Sequence, residues 1–312
     1  MHRQFDDLML GSIELFCLAG ELGGFTAAAT AAGVTPAAVS RSVARLEARL
    51  GVRLFVRSTR QIRLTDAGRV YMEQCRQALA QFADAERMAS GQDTQLSGRL
   101  RISVPTTYAH YRLLPRLPDF HREHPGIRLD VHIANRNIGF ADETFDLAIR
   151  VRLPADSLLI ARHLEDAPLV IVASPAYLKR HGTPRSLADL PAHECIQFDL
   201  PSSGRRIPWL FRDGGEDIEY EAESSYTLSD DVLGCVTLAR AGGGLFQAYR
   251  FVVEDDLASG RLVEVLAGFG GRTRPYNVIY PHSRFMPPRV RAFIDFLVTQ
   301  VTPRPGPLYS RE

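Results

Sequence analysis

Eight arginines crowd into residues 36–69, at positions 41, 45, 49, 53, 57, 60, 63 and 69, against two acids, Glu47 and Asp66. Guanidinium groups fork onto phosphate oxygens and onto the acceptor edge of guanine, so such a run suits a polyanion. The chain carries a formal net charge of +1, and the local excess of six leaves the other 278 residues at minus five. This asymmetry describes a basic module attached to a larger, mildly acidic body, although a solvated basic face gives the same count.

Spacing sharpens the reading. Thr35-Pro36 supplies a side-chain cap followed by proline at a first helical position, and Gly51 stops the helix behind Leu50. Turned at about 100° per residue, Val39, Val43, Leu46 and Leu50 form one core-facing stripe within about 40°. Ala37, Arg41, Ala44 and Ala48 fall on the opposite side, with Ser40 and Arg45 on its flanks. Small alanines let a helix approach the floor of a DNA groove, where Ser40 and Arg41 reach base edges or phosphates. An ordinary amphipathic surface helix also exposes Ala and Arg. The short helix before it and the basic hairpin behind it speak against that alternative.

Other groupings carry less. His121 and His124 stand three apart, but Pro125-Gly126 ends the helix there and no third ligand follows, so no metal is expected. Gly242-Gly243-Gly244 lacks a Walker lysine and the dinucleotide spacing, and reads as a tight helix-to-strand turn. No G-x-S-x-G elbow exists. Cys17, Cys75, Cys195 and Cys235 form no C-x-x-C pair, and the default for Cys17 and Cys235 is a buried, inert thiol. No recognisable catalytic set stands out, so the chain reads as a non-enzyme without a cofactor.

The elements that must position the arginines are helical. Residues 8–19 give a mostly apolar helical face, and Phe25-Thr26 opens a short alanine-rich helix closed by Gly33. With the helix from Pro36 this makes a helix-turn-helix. Residues 54–56 and 62–64 look like strands around a basic hairpin tip, carrying Arg57, Arg60 and Arg63. A helix capped by Thr65 runs over residues 66–90, with the stripe Ala67, Tyr71, Cys75, Ala78, Phe82, Ala85 and Ala89 in need of a partner. Residues 91–98 read as a flexible linker.

From Arg99 onward strands and helices alternate, which indicates α/β architecture with mostly parallel sheets. Strands are expected at 100–104, 127–133, 145–150, 159–164, 169–173, 196–198, 218–222, 243–248 and 278–280. Helices are expected at 108–121, 230–241, 253–259 and 288–301. The 45% hydrophobic and 23% charged composition excludes general disorder and fits about two domains. No apolar run approaches the ~18 residues of a membrane span, and acids at the start oppose a signal peptide, so a cytoplasmic protein is expected.

The residues Phe16…Gly24-Phe25-Thr26-Ala27-Ala28-Ala29…Val34-Thr35-Pro36-Ala37-Ala38-Val39-Ser40-Arg41…Leu50-Gly51-Val52-Arg53-Leu54-Phe55…Leu64-Thr65-Asp66-Ala67-Gly68 closely resemble the LysR-type transcriptional regulators. The resemblance continues through Gly98-Arg99-Leu100-Arg101-Ile102-Ser103, Phe145-Asp146-Leu147-Ala148-Ile149-Arg150 and Ala173-Ser174-Pro175-Ala176-Tyr177-Leu178, and so covers nearly the whole chain. It implies an α+β multidomain fold: a winged helix-turn-helix (1–65), a dimerising linker helix (66–90) and a linker (91–98). A two-lobed α/β effector domain of the periplasmic-binding-protein type (99–302) follows, with lobe one at 99–166 and 270–302, lobe two at 167–269, and a flexible tail at 303–312. Crossovers are expected near 164–168 and 267–274. Two positions depart from the family pattern: Gly24 stands where serine is frequent, and Gln247 where apolar residues run.

The function so implied is sequence-specific DNA binding controlled by a small-molecule effector. The alternatives are a stand-alone small-molecule binding protein and a DNA-binding repressor without an effector. Thr26, Thr35, Pro36, Ala37, Ser40, Arg41, Arg45, Arg57, Arg60 and Arg63 are the expected DNA residues. Effectors in two-lobed domains sit beyond the carboxyl ends of the strands. That points to Thr106, Thr107, Arg150, Gln197, Phe198 and Asp230, and to an organic acid, aromatic ones included. The expected partners are double-stranded DNA with a pseudo-palindromic operator, RNA polymerase if the protein activates, and a second copy through the linker-helix stripe. The resemblance extends the dimer to a homotetramer. No membrane partner is expected.

Overall fold

The computed structural model describes residues 7–57, 62–89, 96–136, 145–151, 159–201, 203–282 and 286–301; within them the side chains of residues 7–9, 57, 77, 80, 81, 84, 85 and 87–89 fall outside the description. The chain divides into two units, Met1–Thr94 and Gln95–Glu312.

In the first unit, α1 (Asp7–Glu21), α2 (Phe25–Ala32) and α3 (Pro36–Leu50) follow one another. The turn between α2 and α3 needs Gly33 at φ 65°, a left-handed conformation that a β-carbon disfavours. Val39, Val43 and Leu46 of α3 are buried with Phe16, Ala19, Ala28 and Ala29. Strands β1 (Phe55–Arg57) and β2 (Ile62–Leu64) pair antiparallel, Val56 opposite Arg63. Phe55 enters the core edge-on to both Phe16, at 5.4 Å, and Phe25, at 5.6 Å. The long helix α4 (Asp66–Ala89) starts where the Thr65 hydroxyl accepts from the Gly68 amide at 2.9 Å. A β-carbon at Gly68 would meet the Leu54 carbonyl oxygen at 2.0 Å, so only glycine lets α4 lie this close to the strand.

The second unit opens with β3 (Gly98–Val104), followed by α5 (Thr106–Tyr108), a π-helical turn (Ala109–Leu113), a 3-10 turn (Leu114–Arg116) and α6 (Leu117–Glu123). Then come β4 (Ile127–Ile133), β5 (Leu147–Arg150), β6 (Leu159–Ala173), α7 (Pro175–His181), β7 (Gln197–Asp199), β8 (Trp209–Asp213), β9 (Glu216–Tyr220) and β10 (Thr227–Ser229). The series ends with α8 (Val232–Arg240), β11 (Phe246–Tyr249), α9 (Arg250–Ala258), β12 (Val263–Val265), β13 (Thr273–Pro281) and α10 (Pro288–Phe296).

The main sheet runs β11-β6-β13-β5-β3-β4, with β12 also on β6. Lobe one holds β3, β4 and β5 under α6 and α10. Lobe two holds β11 and β12 with the parallel pair β7–β10, the β8–β9 hairpin, and α8 and α9. The strands β6 and β13 run antiparallel to each other from Thr273 opposite Pro168 to Pro281 opposite Leu159, with a bulge at Tyr276/Asn277. They are the two crossovers.

Several expectations change here. The strands expected at 159–164 and 169–173 are one strand of 15 residues, because the crossover is itself extended and paired. Between the described strands, parallel pairing is confined to β3–β4, β3–β5 and β7–β10, with one isolated parallel bridge between Cys195 and Leu245, since the crossover strands return antiparallel. The helix expected from Asp230 begins at Val232: Asp230 sits at φ 63° and cannot join a right-handed helix, and the Asp231 side chain caps instead.

Candidate DNA interface and effector cleft

The Thr35 hydroxyl accepts from the Ala38 amide at 3.2 Å and so caps α3. Ala37, Arg41, Ala44 and Ala48 are exposed along one side, Pro36 and Thr35 at its start, and Ser40 is half-buried. Arg45 is exposed too, although its Nη2 donates to the Ser42 hydroxyl at 3.1 Å. Thr26 is exposed near the start of α2, a helix whose Gly24 offers no capping side chain. Arg63 is exposed on β2. Arg57 has its backbone in β1, but its side chain, like all of Arg60, lies outside the described residues.

One residue behind this surface was not singled out from the sequence. Glu47 lies on the buried face of α3, 5% exposed, and its Oε1 accepts from the amides of Leu54 at 2.8 Å and Phe55 at 3.1 Å. Arg53 donates to its other oxygen at 3.5 Å. Two amides on one carboxylate oxygen fix where the hairpin leaves α3. An acid four residues after buried Val43 was the available signal.

The stripe on α4 divides. Tyr71 packs its ring 5.7 Å from Phe16, and Cys75 is 6% exposed in the same core. Both therefore face their own domain rather than an open seam, which corrects the single continuous stripe. Burial pushes the Cys17 thiol up to about 12 and raises that of Cys75. Ala67, Ala78 and Phe82 are exposed, Phe82 at 56%. The side chains of Ala85 and Ala89 lie outside the described residues.

In the second unit a cavity of about 270 Å³ opens between the lobes. Pro105, Thr107, Asn135, Arg150 and Val151 line it from lobe one, and Phe198, Leu200, Ser203, Arg205, Ile207 and Val232 from lobe two. Tyr249, Arg274 and Tyr276 complete it. The Thr107 hydroxyl and the Tyr276 phenol are 2.9 Å apart, and Tyr276 also bonds to Tyr249. Burial raises the pKa of both phenols, so they stay protonated donors.

The sequence-expected effector residues divide in the same way. Thr107 and Phe198 line the cavity. Thr106 does not: Asn135 takes both its amide and its hydroxyl, each at 3.0 Å. Arg150 lines the cavity, but its fork is committed to oxygens of the chain: Nη1 donates to the carbonyls of Ser103 and Ile149, and Nη2 to the Ser103 hydroxyl and the Arg136 carbonyl. It reaches a ligand through its charge rather than through a free bidentate fork. Gln197 is fully buried on the far face of β7 from Phe198 and does not line the cavity. Asp230 is exposed and enters through its carbonyl, which accepts from Asn135 Nδ2 at 2.6 Å. Asn135, Arg205, Tyr249, Arg274 and Tyr276 were not read from the sequence. Gln247 resolves as structural: its amide exchanges two bonds with the Leu210 backbone, both at 2.9 Å, in the manner of one strand pair.

Among the described residues, no helix is long and apolar enough to cross a membrane. Residues 10–69 match the bacterial regulatory helix-turn-helix protein, lysR family, and residues 93–302 match the LysR substrate binding domain. The uncharacterized HTH-type transcriptional regulator YhjC of Escherichia coli is 32% identical over 92% of this chain and 95% of its own. The HTH-type transcriptional regulator CrgA of Neisseria meningitidis serogroup C is 33% identical over 78% of this chain and 81% of its own. Among solved structures, CrgA superposes at TM-score 0.59 with 32% identity, covering 93% of this chain and 98% of that one. The Vibrio cholerae virulence activator AphB superposes at 0.58 with 26% identity, covering 94% and 99%. The chain belongs to the LysR-type transcriptional regulators, which join a DNA-binding helix-turn-helix to an effector-binding domain.

Proposed function

We propose that the effector of this regulator is a small organic acid, aromatic acids included, bound without chemical change between the lobes of the second unit. One observation carries the reading. Arg150, Arg205 and Arg274 line the cavity, and no carboxylate side chain joins them among the described residues. Several like charges in a low-dielectric cleft focus a positive potential there and raise the local concentration of anions. Thr107, Tyr276 and Tyr249 form a chain of hydroxyls whose two mutual bonds use two of their three protons, which leaves one neutral donor for a carboxylate.

On the DNA side, α3 enters the major groove with Ser40 and Arg41 at its centre, and Thr26, Thr35, Pro36, Ala37 and Arg45 flank it. Arg57, Arg60 and Arg63 of the hairpin meet phosphates or the adjacent minor groove. Two copies joined through α4 by Ala78 and Phe82 present two such helices to a pseudo-palindromic operator, and effector domains join two dimers into a tetramer. RNA polymerase is a further partner if the protein activates. Calorimetry on the full chain with a panel of carboxylic acids tests the effector. An acid that binds wild type, and binds Arg205→Ala and Arg274→Ala tenfold more weakly, supports the cleft; equal binding in all three puts the site elsewhere.

A further inference from the structure

The cleft continues into a second space. A compartment of about 70 Å³ adjoins the cavity and shares Thr107, Phe198, Ile207, Val232, Tyr249 and Arg274 with it. One water occupies only ~10–15 Å³, so the compartment has room for a group of several heavy atoms. Past the shared neck its walls are almost all from lobe two. Trp209 stands at the start of β8, Val236 on α8, Phe246 and Ala248 on β11 and Val252 on α9, and all five are buried.

The polar members of this lining offer little to a polar guest. Gln247 has its amide engaged at both ends by Leu210. The Thr107 hydroxyl is bonded to Tyr276. Arg274 stands at the neck, where its Nη2 donates to the Pro208 carbonyl at 2.8 Å. Apolar-walled space of this kind disfavours water and favours an apolar solute. The adjoining mouth also has largely apolar walls, but it adds the charges of Arg150 and Arg205 to that of the shared Arg274.

We infer that the compartment receives the hydrocarbon body of the effector while its carboxylate stays in the mouth. The ligand class is then an amphipathic monocarboxylate with an alkyl or aryl body, not a compact polar di- or tricarboxylate. This rests on the anionic cleft proposed above and adds the division of labour: charge is read between the lobes, and body size is read by lobe two. Val236 sets the room available, and Trp209 forms the wall the body touches.

Trp209 is the only tryptophan of the 312 residues, so its emission reports on this wall without any substitution. The experiment titrates the full chain with straight-chain acids from acetate to octanoate, with benzoate and phenylacetate, and with malonate and citrate, following both calorimetric heat and Trp209 fluorescence. Affinity should rise about fourfold per methylene until the compartment is full, with a heat-capacity change that grows more negative over the same members. Trp209 emission should shift with the acids that carry a body and stay unchanged with malonate and citrate. Val236→Phe should move the optimum to a shorter acid. Affinity that ignores body length, or Trp209 emission that shifts alike for acetate and octanoate, overturns the compartment and leaves the anionic cleft standing. Binding of malonate and citrate alone does the same. If no acid of any kind binds, the anionic cleft itself fails.

Discussion

Asn135 and Asp230 stand on opposite lobes, and a single hydrogen bond of 2.6 Å, from the Asn135 side chain to the Asp230 carbonyl, spans the mouth of the cleft. The same Asn135 holds the amide and hydroxyl of Thr106, so the bond is anchored in lobe one at the end of β3. Asp230 presents its carbonyl because its backbone is left-handed, at φ 63°. Asn135→Ala should therefore loosen the mouth by about 1–2 kcal/mol, the worth of the bond plus the Thr106 groups left to water. Hydrogen exchange on the full chain checks this: amides around 106 and 230–233 should exchange faster, and those of lobe cores such as Ile102 and Val172 should not. Unchanged exchange at both edges of the mouth removes the role assigned to Asn135.

On the DNA side, Arg41 and Arg63 are exposed but are expected to act differently. Arg41→Ala should cost about 1–3 kcal/mol on the operator and relax its sequence preference, as expected for a base-reading group. Arg63→Ala should weaken all sequences alike and reduce the salt slope by about one. Binding to operator and to unrelated DNA at several salt concentrations separates the two outcomes. Loss of the same size on both DNAs for Arg41→Ala would show that it touches phosphate only.

Glu47 links α3 to the hairpin from the buried face of the helix. Its carboxylate oxygen holds the Leu54 and Phe55 amides, and Glu47→Ala would leave both buried donors unmet, at about 1–3 kcal/mol each at most. The expected result is a lower melting point for the DNA-binding domain and weaker binding to any DNA. Glu47→Gln keeps one acceptor oxygen and should fall between. A Glu47→Ala protein with wild-type melting and DNA affinity would contradict this.

How far the sequence reached follows from the range of each signal. The recognition helix was legible because its evidence is local: Thr35 caps, Pro36 starts, and Val39, Val43 and Leu46 repeat with the helical period. The α4 stripe misled because periodicity marks an apolar face without saying what covers it. Tyr71 and Cys75 are covered by Phe16 and its neighbours, more than fifty residues earlier. In the cleft, the carboxyl-end rule led to Thr107 and equally applied to Asn135, two residues past the end of β4. Arg274, Tyr276 and Tyr249 had no local mark. Arg274 and Tyr276 reach the cavity because β13 pairs with β6 through both lobes, and Tyr249 because β11 pairs with the far end of β6, registers set by residues far apart in sequence.

Phe82 tests the dimer independently of the domain core. Phe82→Asp places a charge on an exposed site, 56% accessible in one copy, so the domain should melt as wild type. In a dimer seam the same charge must be desolvated, at several kcal/mol. Sedimentation should then show a smaller assembly than wild type, either a monomer or the pair held by the effector domains alone. Cys75→Asp should do the reverse and melt the domain itself, since that side chain is 6% exposed. An unchanged oligomer for Phe82→Asp takes the seam off this face of α4.

The thiols give a pH prediction with a definite sign. Burial raises Cys17, Cys195 and Cys235 from the ordinary 9.0 to about 12. A thiol harder to ionise in the folded than in the unfolded chain lends stability that is complete below pH 9 and declines as pH climbs towards 12. The protein should thus hold its melting point through neutral pH and lose it progressively in that alkaline window. Reactivity follows the same logic, because the thiolate is the nucleophile and access is needed as well. At pH 8 a small disulfide reagent should label these three cysteines only as fast as the surrounding structure opens, and urea should accelerate the reaction. Cys195→Ser and Cys235→Ser each remove one such thiol and should flatten the alkaline decline. Immediate labelling of Cys235 in the folded chain would mean that α8 opens far more readily than its 0% exposure and packing against β7 imply.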